Sequence, residues 1–405
     1  MSKQVLFISY DGMTDPLGQS QVLPYLAALS KRGYVVHLIS FEKRDKFEKL
    51  KSTIESICAV AGIRWHPALY TKSPPILGTL YDLWKMNKMA RALIKQHHID
   101  AVHCRSYIAA LIGLGCKRGM GTKFIFDMRG FWADERAEGN IWNLHNPIFR
   151  AVYSFFKRKE IQYFTEADYT ISLTHTGKSE IHSWKSIRNN PIPIQVIPCC
   201  VDIEKFSHPA PLQEDSMVQM AKREGRFILG YIGSIGTWYM LEEMLDFFKE
   251  LKKQKKESLF LFVTQEQALV RAWCRKKQID DNDIFLTTCL HAEVPDYIAV
   301  LDAAIFFIKP SFSKKASSPT KQGEIMALGK PIFCNAGVGD TDKVIEKYHA
   351  GQIIEEFSPQ AYQKAIEAFC VTSYNTEEIK KGASEFYSLS NGVNLYEEVY
   401  KKTME

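Results

Sequence analysis

The chain opens with a short apolar run, Val5–Ser9, followed by a polar, glycine-containing stretch from Tyr10 to Gln19. From Ser20 to Arg32 the apolar residues Val22, Leu23, Tyr25, Leu26 and Leu29 recur at helical spacing, which predicts a helix. Ser20 stands where an N-cap belongs, and Gly33 where a left-handed residue ends a helix. Val35–Ile39 then reads as a second strand. Strand, helix and strand in this order form a βαβ unit and imply a parallel sheet.

The rhythm continues. Ile99–Val102, Phe124–Phe126, Tyr169–Leu173 and Gln195–Ile197 are predicted strands, separated by helical stretches that include Tyr81–Gln96 and Phe149–Thr165. From about Ser207 to Gly225 the chain is polar and weakly patterned, and a domain boundary is expected there. The pattern then restarts with Phe227–Ile232, Leu259–Val263, Ile284–Thr287, Ala303–Ile308 and Pro331–Cys334 as strands. Two α/β halves of similar size, without a short repeat, predict two Rossmann-like doubly wound domains. The expected division is 1–206 and 207–385, with a last helix over about 386–405 returning to the first domain.

Length supports this division, because 405 residues exceed what one ordinary core holds. Hydrophobic content of 46% with 24% charged residues is a globular composition. A net charge of +6 suits anionic ligands or lipid headgroups but is too small and diffuse to indicate nucleic acid. The 9 cysteines form no C-x-x-C pair and no zinc-spaced cluster, which fits a reducing compartment. With no signal-peptide layout at Met-Ser-Lys-Gln and no apolar run long enough to span a bilayer, a cytoplasmic protein is expected.

Ligands of doubly wound sheets bind in the loops after the strands, and three such loops stand out. In DGMTDPLGQS, Asp11–Ser20, the residues Gly18, Gln19 and Ser20 sit at a predicted helix entry, where free N–H groups favour an anion. The loop has neither a G-x-G-x-x-G nor a P-loop lysine, so it gives little support to a nicotinamide or NTPase site, and it also reads as an ordinary βα loop. In GYIGSIGTW, Gly230–Trp238, the residues Gly233 and Gly236 permit close backbone approach and Ser234 offers a hydroxyl. The third segment runs from Lys309 to Glu324. Its Ser318-Pro319 reads as an N-cap with proline at the first helical position. Thr320, Lys321 and Glu324 then share one helix face, with Lys309, Lys314 and Lys315 nearby. Lysine and N–H groups suit a diphosphate, and a carboxylate one turn later suits ribose hydroxyls. The plain alternative is a solvated helix start with a surface Lys–Glu pair.

In sequence order, LPYLAALSKRGYVVHLIS, DAVHCRS, ADYTISLT, VIPCCVDIEKF, GYIGSIG and SSPTKQGEIMALGKPI resemble the family-4 glycosyltransferases of GT-B architecture, in particular those that build bacterial surface polysaccharides. The resemblance spans nearly the whole chain. It implies two domains facing across a cleft and transfer of a hexose from a nucleotide diphosphate sugar, UDP or GDP, with retention and without an essential metal or other cofactor. The implied acceptor is a glycan or lipid-linked glycan. Glu324 matches the second glutamate of the family's E-x7-E element, the ribose ligand, whereas Ala316 stands at the place of the first. The paired Arg and Lys that usually follow the second glycine loop are missing from SIGTWYMLEEM, so phosphate charge is assigned to Lys309 and Lys321. By resemblance His291 lies near the base. FDMRGFWADER occupies the place where many relatives carry a histidine, which makes Asp127, Arg129, Asp134 and Glu135 its polar candidates. Arg129 is placed on the leaving diphosphate or the acceptor, and Asp127 has either a reactive or a structural part. His103 reads as a core histidine. Asp281-Asn-Asp283 spells the metal signature of the other large glycosyltransferase fold, but an Asp/Asn-rich turn explains it.

Within the fold, an epimerase or a phosphorylase would share the donor site. Outside catalysis, a nucleotide-sugar-binding scaffold subunit would share it too, and Ala316 is the residue that favours that alternative. The basic, aromatic-bearing stretches Tyr81–Gln96 and Phe149–Tyr163 suggest peripheral contact with anionic membrane at its inner face. The plainer reading is that both pack their apolar faces on the sheet with solvated basic faces outside.

Overall fold

The computed structural model describes residues 2–214 and 216–405. They form two compact units, one of residues 2–198 with Leu389–Glu405 and the other Cys199–Ser388. The first unit holds seven strands: β1 (Gln4–Ser9), β2 (Val35–Glu42), β3 (Arg64–Leu69), β4 (Ala101–Arg105), β5 (Lys123–Asp127), β6 (Tyr169–Ser172) and β7 (Ile194–Val196). All pair in parallel in the order β3-β2-β1-β4-β5-β6-β7. Ile8 lies beside Ile39 on one side and Cys104 on the other. Both faces of these central strands are buried, which is why β1 reads as a continuous apolar run. β3 escaped the hydrophobic pattern because RWHPAL is an edge strand with mixed polarity, and the edge tolerates Pro67.

The second unit contains β8 (Phe227–Ile232), β9 (Ser258–Val263), β10 (Ile284–Thr287), β11 (Ala303–Phe306), β12 (Ile332–Asn335) and β13 (Gly351–Ile354). They too are all parallel, in the order β10-β9-β8-β11-β12-β13. Each sheet reverses its strand order once, beside β1 in the first unit and beside β8 in the second. Both units are Rossmann-like.

Two local expectations change. The single helix expected over Ser20–Arg32 is two helices, Pro16–Gln21 and Leu23–Lys31, broken at Val22 with φ −130°. Pro24 explains the break, since it carries no N–H and fits only the first turn of a new helix. Ser20 therefore lies inside the first helix, its hydroxyl on the Pro16 carbonyl at 2.9 Å, and is not an N-cap. Gly33 does take the left-handed conformation, with φ +95°.

The last helix, Leu389–Met404, packs on Leu23–Lys31 within the first unit, with the Tyr25 and Tyr396 rings 5.2 Å apart. The division between units falls at Cys199, ahead of the polar stretch from Ser207. Residues 199–206 already bond to the second unit, where the Val201 N–H donates to the Tyr387 carbonyl at 2.7 Å. Among the described residues no helix is long and apolar enough to cross a membrane.

Candidate functional site

The carboxyl ends of β8 and β11, neighbours at the reversal of the second sheet, carry the best-defined group of polar side chains. β8 turns at Gly233, where φ is +118° and a Cβ would stand 3.2 Å from the Lys321 Nζ. A bare residue is needed where the lysine arrives. Farther along, the Lys309 N–H donates to the Trp238 carbonyl and the Met240 N–H to the Phe307 carbonyl, both at 2.9 Å. Asn335 at the end of β12 secures the same segment, accepting from the Ile308 N–H at 2.8 Å and donating to its carbonyl at 2.9 Å. The glycine loop and the segment from Lys309 are thus held side by side.

Lys321 lies in the first turn of the helix Thr320–Ala327 and is buried. Its ammonium donates to the Tyr231 hydroxyl at 3.0 Å and sits 4.1 and 3.7 Å from the ring centroids of Tyr231 and Tyr239. Aromatic faces partly replace lost hydration. Burial nevertheless pushes the ammonium down to about 7, with Glu324 opposing. Glu324 is one turn on, also buried, with Oε1 3.3 Å from the exposed His291 Nε2. The hydrogen bond to this carboxylate raises the His291 imidazole above its ordinary value, against a smaller loss of hydration. Lys321 and Glu324 thus share one helix face, and Glu324 meets His291 of the short 3₁₀ turn His291–Glu293.

Other expected members do not join them in the same way. Ser318 does not cap the helix, which begins after Pro319 without a side-chain cap. Its hydroxyl instead accepts the Cys199 N–H at 3.2 Å. Thr320 opens the helix half-buried, while Ser234 gives its carbonyl to the Tyr231 hydroxyl at 2.6 Å. Lys309 is exposed, Lys314 is buried over the Trp238 ring at 3.8 Å, and Lys315 lies over Phe312. Among the four lysines, Lys321 is the one brought against Gly233 and the two tyrosines. Ala316 is wholly buried and supplies no polar group.

In the first unit a second polar cluster gathers at the ends of β1, β4 and β5. Asp127 is wholly buried, with Oδ2 accepting from the Tyr396 hydroxyl at 3.1 Å and 3.6 Å from His103 Nε2. The Arg129 guanidinium lies 3.8 Å from Oδ1, and Arg105 pairs with Asp11 at 2.9 Å. Burial pushes the Asp127 carboxyl up, but Arg129, His103 and Arg105 outweigh it and hold the group below its ordinary value. Burial lowers the His103 imidazole despite Asp127, and its Nδ1 lies 2.9 Å from the Tyr400 hydroxyl. Arg129 has φ +56° and Gly130 φ +123°. This left-handed pair turns the arginine back toward Asp127, and the non-glycine member stores some strain. Asp134 is drawn elsewhere, to Tyr153 at 2.7 Å and Lys157 at 2.8 Å. Glu135 lies in the first turn of the helix Trp132–Glu138.

The first glycine-containing loop is not an open anion cradle. The buried Glu42 carboxylate accepts from the Met13 N–H at 2.8 Å, the Thr14 N–H at 3.0 Å and the Thr14 hydroxyl at 2.6 Å. Gly18 packs so closely that a Cβ would meet the Gly12 carbonyl at 2.4 Å, and Gln19 donates to the Thr14 carbonyl at 3.3 Å. Asp281–Asp283 is a short 3₁₀ turn whose Asp283 pairs with Arg226 and Lys252. No group of three or more metal-ligating side chains occurs among the described residues. Glu42, Tyr231, Tyr239, Asn335 and Tyr396 all shape these clusters, and no sequence motif singles them out. Trp238-Tyr239, aromatic directly after the glycine loop, was the one available signal.

Comparison with known proteins agrees with this architecture. Residues 19–205 match the model of Glycosyltransferase Family 4, and residues 213–386 that of Glycosyl transferases group 1. The chain belongs to the glycosyltransferases of GT-B fold. An uncharacterized glycosyltransferase of Methanocaldococcus jannaschii is 24% identical over 261 residues, which are 63% of this chain and 64% of that protein. The match thus spans somewhat less than two thirds of that relative. A glycosyltransferase structure from Rickettsia africae superposes with TM-score 0.71 at 14% identity, covering 100% of this chain and 99% of the other. HepE of Anabaena, in complex with UDP and glucose, gives TM-score 0.68 at 12% identity, covering 98% and 99%.

Proposed function

We propose that the chain transfers a hexose from a nucleotide diphosphate sugar, UDP- or GDP-linked, to a glycan or lipid-linked acceptor in polysaccharide or glycoconjugate synthesis. The observation that carries this reading is buried Lys321 and Glu324 on the helix that follows β11, with Lys321 against bare Gly233. The anomeric carbon–oxygen bond breaks with its electron pair going to the diphosphate, while an acceptor hydroxyl oxygen forms the new bond to that carbon and gives up its proton to a diphosphate oxygen. Lys321 faces the charge that develops there, and electrostatic stabilisation at this point is the largest lever available. Glu324 accepts the ribose hydroxyls, His291 flanks the base, and Gly233 leaves room for the phosphates. HepE of Anabaena, of the same fold, is a UDP-binding protein by its structure, which supports this donor class. Transfer with retention and without a metal is part of the proposal, with Lys321 supplying cationic charge. In the first unit Asp127, wholly buried, positions Arg129 and His103 rather than meeting substrate through its own carboxylate.

Thermal-shift titration with UDP and GDP tests the donor site, since ligand at a hundred times its Kd stabilises by about 2.7 kcal/mol. One nucleotide is expected to shift the transition, and a shift by neither overturns the reading. Release of that nucleotide from its sugar conjugate, persisting in EDTA, separates an enzyme from a scaffold that only binds.

A further inference from the structure

The helix Pro75–His97 runs from the carboxyl end of β3 toward β4. Its starting half does not hide its apolar residues. Leu77, Leu80, Tyr81 and Trp84 are 64, 57, 53 and 59% exposed, and Ile76 is exposed beside them. They fall at helical spacing on one outward stripe, which Lys88, Arg91 and Lys95 continue toward the helix end. Tyr81 and Trp84 stack at 5.9 Å, and the Lys88 ammonium lies over Trp84 at 5.6 Å. Lys72 is exposed just ahead of the helix, and Lys85 lies within it. The helix's one acid, Asp82, is turned inward and bonded by the Tyr10 hydroxyl and the Thr71 N–H.

A second ridge repeats the composition. In and before the helix Pro147–Glu166, Ile141, Ile148 and Phe155 are exposed, with Arg150 and Arg158 beside them and Lys159 over the Phe155 ring. The acids of that helix are occupied, Glu160 by Tyr107 and Lys157 and Glu166 by Arg118. Both helices pack against Ser106–Met120, so they flank it on one face of the first sheet. Each starts from the end of the sheet where β4 and β5 deliver Arg105 and Asp127.

We propose that this face is a membrane-docking surface that inserts the Ile76–Trp84 ridge at the interface of an anionic bilayer. Exposed aromatic and aliphatic residues on this scale mark an interaction surface. Tryptophan and tyrosine suit the headgroup level, while cations without an exposed acid beside them select anionic lipid. The expectation that these helices turn their apolar residues onto the sheet fails for these positions. Docking here does not depend on the donor reading; if that reading holds, it presents the β4 and β5 ends to a lipid-linked acceptor.

Co-sedimentation of the full chain with phosphatidylcholine vesicles, and with equal parts phosphatidylcholine and phosphatidylglycerol, tests the surface. Binding to the mixed vesicles is expected to exceed binding to neutral ones by about tenfold or more and to fall with salt. Leu80→Ser with Trp84→Ser should lower binding to mixed vesicles by about tenfold. Lys85→Glu with Lys88→Glu should erase the lipid preference, and Val371→Ser, an exposed site in the other unit, should change nothing. All four positions of the two double variants are on the surface or half-buried, so unchanged melting temperatures certify the fold. Equal binding to both vesicle types, no binding, or full binding by Leu80→Ser/Trp84→Ser overturns the proposal. A chain that elutes as a dimer and becomes a monomer in that variant, without vesicle binding, assigns the ridge to a second copy and overturns it as well.

Discussion

The two sheets have the same parallel plan, yet the polar clusters at their carboxyl ends are built oppositely. In the first unit the charges of the cluster lie beside opposite charges. Asp127 lies among Arg129, His103 and Tyr396, and Arg105 lies on Asp11. In the second unit Lys321 is buried against phenol and ring faces, and Glu324 reaches out to an exposed histidine. A compensated cluster fixes geometry, because removing one member strands the others. A partly compensated one, with Lys321 turned to rings rather than to a carboxylate, holds interaction energy in reserve for a ligand. On the function proposed above, the first cluster serves as framework and the second as the binding centre.

The sharpest way to break that contrast is to remove the charge of Asp127 without changing its size. Asp127→Asn removes the wholly buried carboxylate that Arg129, His103 and Tyr396 surround and should cost about 3–5 kcal/mol of folding stability, read in urea melts. Nucleotide affinity of the folded fraction should be unchanged. The sign with pH follows from the lowered Asp127 value: its stabilisation is present above the unfolded carboxyl range and disappears as pH falls through the folded value. The variant should thus lose less stability on acidification than the wild type. A normal melt with weakened nucleotide binding would reverse the roles assigned to the two clusters.

Glu324→Gln should do the opposite, leaving stability nearly intact and weakening the nucleotide. A charge-assisted hydrogen bond contributes roughly 1.5–3 kcal/mol, so the Kd should rise about ten- to a hundredfold by calorimetry. A 2′,3′-dideoxy nucleotide should bind weakly to the wild type and lose little more in the variant, since both changes delete the same contact. Full additivity would place the ribose elsewhere.

Lys321 should have a smaller net effect, for a reason its burial supplies. With its ammonium held down at about 7, much of the free protein carries a neutral lysine at pH 8. Charging it to meet a diphosphate then costs about 1.4 kcal/mol per pH unit above that value, which offsets part of the attraction. Binding should take up close to one proton at pH 8, and affinity should fall as pH rises from 7 to 9. Calorimetry in buffers of different ionisation heat measures the uptake. Lys321→Met should abolish it and weaken UDP several-fold while leaving uridine alone. Proton uptake that survives in Lys321→Met would move the effect to another group.

Much of this was legible because the physics is local. Contiguous apolar runs announced β1, β8 and β9, whose faces are both covered, and the S-P-T-K run placed Lys321 and Glu324 on one helix face. β13 was invisible because Gly351-Gln-Ile-Ile354 is too short and mixed to show a period. The helix break at Val22 had a signal, Pro24, that the strong apolar spacing on either side concealed. The parts of the clusters that come from far along the chain had none. Tyr396 reaches Asp127 from the last helix, and Glu42 reaches the first loop from the end of the next strand. Only the folded topology brings them together.

The smallest predicted effect concerns that first loop. The sequence made Ser20 a helix cap and an anion ligand, whereas its hydroxyl lies on the Pro16 carbonyl one turn back, exposed, inside a helix of six residues. A serine bonded in this way contributes little to a helix. The loop N–H groups of Met13 and Thr14, which an anion would need, are already taken by the Glu42 carboxylate, whose negative charge also repels one. Ser20→Ala should therefore change stability by no more than about 0.5 kcal/mol and leave the affinity for UDP or GDP unchanged. Thermal melts and nucleotide titrations of the purified variant measure both. A loss of affinity comparable to that of Glu324→Gln would restore the first loop as part of the donor site and remove the asymmetry between the two units.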